Sequence, residues 1–475
     1  MPGSSPNDRL ARLMEEAGFD THKSFARAVL EESRRAGEPL ARCDHTYVSR
    51  WLQGMVPRGK TAPFIAAALS RALGRPVTTA DMGMPLAGHL LALNVGLAYP
   101  DSAGAAVENV AALWQADLDG LTTVQRGQID PAAWGEASLR WLVDPGLRPP
   151  DMATAGVRIG RSDVDRFKAT VDLFVQLDNR FGGGHARAPL IQYLRTDGVR
   201  LLHGRHADDV GRSTYSAVAE ATLLAAWMTY DSAPTSGLAQ RYFVQALVIA
   251  QTGDDRLLGG SILDAMSHQA TYIGRFREAA NLARAARTGS EGRATATLKA
   301  HFHAMEARAL ARLSEARECD AALAKAVREF ERRNPEDDPA WISYFDDAEL
   351  AAELGHCFRD LGRPAAASEY ANHCLGAIDE TTFLRSDFFA TMVLADAYLA
   401  AGELEQACSV ARRALADGEH LRSARCISYL RDFRTRLAAV DANSAVTDFH
   451  EQARAFRLWR ISGQAGSTSS PPQPC

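Results

Sequence analysis

The side chains best equipped for chemistry cluster between Asp44 and Lys60. Val48, Trp51 and Leu52 recur at i, i+3 and i+4, which predicts a short helix with one apolar stripe. Asp44 stands where its carboxylate can accept from the free N–H groups of the first turn. His45, Thr46, Ser49, Arg50 and Gln53 fall on the remaining faces, so the outer side is rich in hydrogen-bonding groups. Gly54 stops the helix, Pro57 bars its resumption, and Arg58 and Lys60 add two cations just beyond. A short anchored helix with a polar face and a cationic segment after it suits a groove lined by polar edges and phosphates.

Three further short helices are predicted around it, over Asp8–Ala17, His22–Ala36 and Ala62–Leu73, each with apolar residues at helical spacing. Charge sets this region apart. Between His22 and Pro76 ten Lys/Arg (Lys23, Arg27, Arg34, Arg35, Arg42, Arg50, Arg58, Lys60, Arg71, Arg75) face four acids (Glu31, Glu32, Glu38, Asp44). Against a whole-chain charge of −5, the rest of the sequence therefore carries −11. A basic module on an acidic body favours a nucleic-acid contact confined to one end.

Val48-Ser49-Arg50-Trp51-Leu52-Gln53-Gly54, with Pro57 after two intervening residues, resembles the third-helix signature of Cro/repressor-type (XRE) helix-turn-helix domains. The resemblance implies that His45, Thr46 and Arg50 read base edges, while Gln53, Arg58 and Lys60 contact phosphate. The chemistry fits: Arg50 can present two parallel donors to guanine O6 and N7, and Thr46 a hydroxyl or methyl. The sequence departs from the compact pattern between Leu30 and Asp44, where the connection is longer than the usual tight turn.

Beyond Pro76 the chain reads as helices of a different kind. Thr78–Tyr99 is expected to be a packed, partly extended connector. Helices follow over Glu108–Leu118 and Pro131–Leu142, then a Pro/Gly-rich linker over Asp144–Gly160. Ser162–Phe181 is predicted helical, with Ser162 and Asp165 spaced as a capping box. Later segments repeat. Leu354, Gly355, Phe358, Gly362, Ala366 and Tyr370 stand close to the tetratricopeptide (TPR) pattern, and Gly402 and Gly274 mark related copies. Ala304–Val327 fits with Leu313-Ser314 where glycine is expected, and Ala217–Ile249 with a longer turn. The period drifts between about forty and fifty residues, longer than the standard unit. Such pairs bury their apolar faces only by stacking, which predicts a right-handed α-solenoid with a concave surface.

Several constellations tempt and fall short. Gly182-Gly183-Gly184 lacks the Lys-Ser/Thr and strand context of a phosphate loop and reads as a helix–helix turn. His203, His206, Asp208 and Asp209 read as loop residues, not as a metal site. His301 and His303 lie two apart and face different sides of a helix. His450-Glu451 lacks a second histidine, and no Ser sits in a G-x-S-x-G elbow. Seven cysteines without a C-x-x-C pair read as reduced thiols. No stretch approaches eighteen apolar residues and no signal-peptide layout opens the chain, so a cytoplasmic location is expected.

The sequence as a whole resembles actinobacterial, Streptomyces-type regulators that join an XRE-like domain to a degenerate TPR body. Leu177–Arg187, Gly237–Leu247 and Leu421–Arg425 are stretches typical of that group. The expected fold is all-α, an N-terminal helix-turn-helix bundle followed by a TPR-like α-solenoid. The expected organisation is a disordered arm (1–6), the helix-turn-helix domain (7–84), a helical connector (85–160), the solenoid (161–462) and a disordered tail (463–475). The resemblance implies a sequence-specific DNA-binding transcriptional regulator, of repressor type, acting in secondary metabolism or development. Its partners would be double-stranded DNA, a second copy in a homodimer, and a peptide or small-molecule effector in the TPR groove. No membrane, cofactor, metal or catalytic residue is expected. The alternative is an adaptor whose N-terminal module binds protein instead of DNA.

Overall fold

The computed structural model describes residues 7–35, 40, 42–55, 57, 61–73, 75, 77, 81–82, 95–143, 157–376, 384–440 and 443–464. Among them every regular element is helical, apart from one isolated bridge between Arg158 and Arg205. The expected all-α class is the observed one. The chain divides into two compact units, Met1–Val95 and Gly96–Cys475.

The described residues of the first unit hold four helices: α1 (Asp8–Glu16), α2 (His22–Arg35), α3 (His45–Leu52) and α4 (Thr61–Leu73). Asn7 caps α1 by accepting from the Leu10 N–H at 3.0 Å. Leu10, Met14, Phe25, Val29, Val48, Trp51, Ile65 and Leu69 form one core. The departure expected after α2 is a long connection, since α2 stops at Arg35 and α3 starts at His45. The Ser33 hydroxyl ties it down, accepting from the Leu40 N–H at 3.2 Å and donating to the Leu30 carbonyl at 2.7 Å.

The second unit opens with α5 (Ala103–Leu118), α6 (Thr122–Gln125) and α7 (Pro131–Val143), then α8 (Arg161–Phe181), α9 (Arg187–Tyr193) and α10 (Val199–Leu202). The box that starts α8 is set two residues earlier than its sequence suggests: the Gly160 N–H donates to Asp163 at 3.0 Å. Helical hairpins follow: α11 (Asp208–Ser232) with α12 (Gly237–Thr252), α13 (Arg256–Tyr272) with α14 (Phe276–Gly289), and α15 (Ala296–Arg312) with α16 (Ala316–Glu331). Next come α17 (Asp347–Asp360) with α18 (Pro364–Gly376), and α19 (Leu384–Ala400) with α20 (Leu404–Asp417). The array ends in α21 (Ala424–Leu437), α22 (Ser444–Ala453) and α23 (Arg457–Gln464).

Four hairpins share one turn. Gly274, Gly362 and Gly402 lie in the left-handed region at φ +85°, +68° and +81°, and Ser314 takes the same conformation at +60°. The next N–H then reaches back five residues, as from Arg275 to Ala270 (2.8 Å) and from Glu315 to Leu310 (3.0 Å). The repeat position read as a missing glycine is thus filled by serine without loss of the turn.

Two packing features exceed a simple stack. First, every residue of α12 is buried, because the segment read as a connector wraps it. Gln240 accepts from the Asp130 N–H (2.9 Å) and donates to the Asp130 carbonyl (2.6 Å). The Gln245 amide donates to the carbonyls of Gly96 (3.1 Å) and Ala98 (3.2 Å). Second, the array returns on itself. The first helices of successive hairpins lie side by side from α11 to α21, and α21 in turn touches α11. Arg422 donates its N–H to the Phe181 carbonyl at 3.0 Å, Asp178 pairs with Arg385 at 3.0 Å, and Tyr272 donates to Ser428 at 2.6 Å.

Candidate nucleic-acid interface

Asp44 adopts extended backbone (φ −133°) and accepts from the N–H groups of Thr46 (2.9 Å) and Tyr47 (3.4 Å). Burial pushes its carboxyl pKa up, but these bonds and Arg42 outweigh that and hold it below the usual range. Val48 is 0% and Trp51 2% exposed, and Tyr47 leans on Trp51 with ring centroids 6.5 Å apart. Leu52, read as part of the same stripe, is only half-buried. The Met55 N–H closes the helix end on the Arg50 carbonyl at 2.9 Å.

Anchoring by Val48 and Trp51 fixes what faces outward. His45, Thr46 and Arg50 are all exposed, one turn apart on the side away from the core, and Ser49 is half-buried beside them. Gln53 is exposed at the helix end and engaged in a contact of its own. Arg58 and Lys60 lie outside the described residues.

The cations of this unit divide into two groups. Arg71 grips Glu32 through Nε at 2.6 Å and Nη2 at 3.1 Å, and Arg35 reaches the same carboxylate at 2.8 Å. The Arg71 hydrogen bond depresses the Glu32 pKa against the opposing effect of burial. Arg75 pairs with Glu16 at 2.6 Å and Arg42 with Asp44 at 3.3 Å. These four are spent on internal acids. Lys23, Arg27, Arg34 and Arg50 are exposed and make no ion pair among the described residues. The first three stand whole turns apart, so they line one face of α2. Charge counting included them, yet only the i, i+4, i+11 spacing reveals the stripe.

Elsewhere, the tempting constellations resolve into structure. The Gly183 N–H donates to the Asp231 carboxylate at 3.0 Å, and a Cβ there would stand 2.4 Å from the Met228 carbonyl oxygen. The glycine run is a close-packed helix turn. His203 sits 3.4 Å from Glu108, and Asp209 pairs with Arg161 at 2.8 Å. His301 faces Asp264 and His303 faces Glu306. Among the described residues no three His, Cys, Asp or Glu side chains gather as for a metal ion. The six described cysteines are buried and unbridged; burial chiefly raises the Cys43 thiol to about 11. No described helix is long and apolar enough to cross a membrane.

The family model for the SP15 N-terminal domain matches residues 10–85, a stretch that runs from within α1 to beyond α4. No curated protein matches the chain.

Proposed function

We propose that the protein is a sequence-specific DNA-binding transcriptional regulator, in which α3 enters the major groove. One observation carries this reading. Arg50, Thr46 and His45 project from a helix whose opposite face is locked into the core, and Arg50 is bound to no acid among the described residues. A guanidinium left free on a rigid, short, exposed helix is prepared for bidentate donation to guanine. Lys23, Arg27 and Arg34 supply sequence-independent attraction to phosphate. The likeness to helix-turn-helix regulators of actinobacteria supports the same role, and with it repression of secondary metabolism or development. A four-helix module alone offers limited affinity, so the working form is a homodimer on two half-sites, with the helical-repeat body dimerising and receiving an effector.

The test is fluorescence anisotropy of the protein with DNA from its own promoter. Binding should fall steeply with salt. Arg50→Ala should lower affinity for the preferred site by roughly 5- to 150-fold, leaving non-specific binding nearly intact. Failure of the protein to retard any DNA at low salt, or an unaltered Arg50→Ala variant, would remove this reading in favour of the adaptor.

A further inference from the structure

Along the array the second helix of one hairpin packs along the first helix of the next, as α14 does along α15 and α18 along α19, but α16 scarcely meets α17. The connection between these two is long, residues 332–346, where α14 and α15 are joined by 290–295. It is also held in place. Phe345 packs edge-on against His301 at 4.5 Å and against Phe330 at 5.7 Å, and Ile342 is fully buried. The Thr297 hydroxyl donates to Asp338 at 2.5 Å. The two short 3₁₀ turns of this connection, Pro335–Asp337 and Ala340–Ile342, thus form a fixed spacer.

Where α16 and α17 part, a groove of about 370 Å³ is lined by α16, α17 and α18. That volume lies towards the lower end of small-molecule sites. Its apolar lining comes from Leu323 and Val327 of α16, Leu354 and Phe358 of α17, and Tyr370 of α18. Phe358 and Tyr370 stack with ring centroids 5.4 Å apart, which braces the aromatic part. Three charged groups of α16 share the lining: Asp320, Arg328 and Glu331. Asp320 is already gripped by Arg363, through Nη1 at 2.6 Å and Nη2 at 3.0 Å. Arg328 and Glu331 are exposed and make no ion pair among the described residues, not even with each other. Glu329 and Arg332, at the same spacing beside them, do pair, at 3.6 Å. The groove therefore sets one free cation and one free anion beside an apolar floor.

We propose that this groove binds a free apolar α-amino acid, with Arg328 taking the carboxylate, Glu331 the ammonium group, and the apolar lining the side chain. A guanidinium presents paired donors to a carboxylate, and a carboxylate accepts from an ammonium group, so a zwitterion satisfies both free charges at once. An apolar acid would meet Arg328 but be repelled by Glu331, and an apolar amine the reverse. The buried Leu323 and Leu354 and the stacked rings favour an aromatic or branched side chain. The groove lies wholly within the second unit, so its occupancy is independent of the DNA-binding reading and is measured without DNA.

Titration calorimetry of the full-length protein with L-tryptophan and L-leucine tests it, with tryptamine, indole-3-propionate and glycine as probes that lack the carboxylate, the ammonium group and the apolar body. At least one of the two amino acids should bind with a Kd of about 1 mM or tighter, and glycine should not bind. Arg328→Gln should weaken the bound amino acid roughly two- to five-fold. Where that ligand is tryptophan, the variant should leave tryptamine unaffected, and Glu331→Gln should weaken tryptophan but not indole-3-propionate. Both positions are exposed, so the variants should melt as the wild type does. Ala324→Trp, at an exposed position in the lining, should fill the groove and abolish binding. Silence from both amino acids, binding that Arg328→Gln and Glu331→Gln leave unchanged, binding that survives Ala324→Trp, or equal binding of glycine would each overturn the assignment.

Discussion

Asp231 offers the sharpest test of how the second unit holds together. It lies near the end of α11 and is wholly buried. One oxygen accepts from Arg425 Nε and from the Ser423 hydroxyl, each at 2.8 Å. The other accepts from the Gly183 N–H at 3.0 Å and lies 3.6 Å from Arg385. Four groups from three distant segments thus converge on one carboxylate. Burial works against its ionisation, but Arg425, Arg385 and these donors more than compensate, and its pKa lies below the usual value. Asp231→Asn keeps the shape and removes the charge. Arg425 then stays buried without a carboxylate, and Arg385 retains only Asp178. Breaking a buried pair from one side costs about 3–5 kcal/mol. With an unfolding entropy near ~2.1 cal/mol/K per residue, a unit of this length loses about 5 °C of melting temperature. Calorimetry should show that drop, and hydrogen exchange should show α8 and α21 losing protection together. Arg425→Gln added to Asp231→Asn should cost less than the two singles combined. A shift below ~1 °C with unchanged exchange at both helices would refute the claim that this carboxylate closes the array.

Other outcomes follow from single contacts. Trp51→Ala removes a 2% exposed ring from the core under α3 and should destabilise the first unit by about 3–5 kcal/mol, read by denaturant titration. Gly183→Ala places a methyl 2.4 Å from the Met228 carbonyl oxygen; since backbone cannot yield cheaply there, it should lower the melting temperature and loosen the Phe181–Arg422 contact. Burial raises the Glu349 carboxyl from its ordinary 4.5 to about 7 in the folded protein, so its ionisation opposes folding. Stability is undiminished below about pH 4.5 and declines as pH rises through 7. The groups facing it are Glu353 and Asp346 near its own helix, and His301 and Arg308 on α15. Glu349→Gln should therefore melt higher than the wild type at pH 8 and equally at pH 4.5.

Helical hairpins were legible because their signals are local. Apolar residues at three- and four-residue spacing mark each helix, and a glycine reports each turn. Ser314 marks the limit of that signal, since a serine in the left-handed region writes no glycine into the sequence. Closure of the array was not legible. Asp231 and Arg425 stand 194 residues apart, and nothing in either helix's own pattern selects the other as partner. Leu177–Arg187 and Leu421–Arg425 stood out only through resemblance. Their physical content is this closure: Asp178, Gly183 and Gly184 meet Arg385, Asp231 and the Arg422 backbone. The carboxylate of Glu349 on α17, unpaired among the described residues, was hidden for the same reason. A helical glutamate reads as solvated until the neighbouring helices are known.

The same reasoning bears on the α3 site. Its cap, its anchors and its outward residues all lie within one turn or two, so the pattern sufficed to orient them. Charge is different, because a cation counts towards an external ligand only if no internal acid already holds it. Of the ten cations between His22 and Pro76, Arg35, Arg42 and Arg71 are paired with Glu32 or Asp44, and Arg75 with Glu16. The field that phosphate would meet comes from Lys23, Arg27, Arg34 and Arg50, together with any share from Arg58 and Lys60. Each neutralised phosphate contributes about −0.9 to the slope of log affinity against log salt. The measured slope should therefore follow the unpaired set and fall well short of one contact per cation in the sequence. Arg27→Ala should change it by about one, whereas Arg71→Ala should leave it unaltered and act on the melting temperature through Glu32.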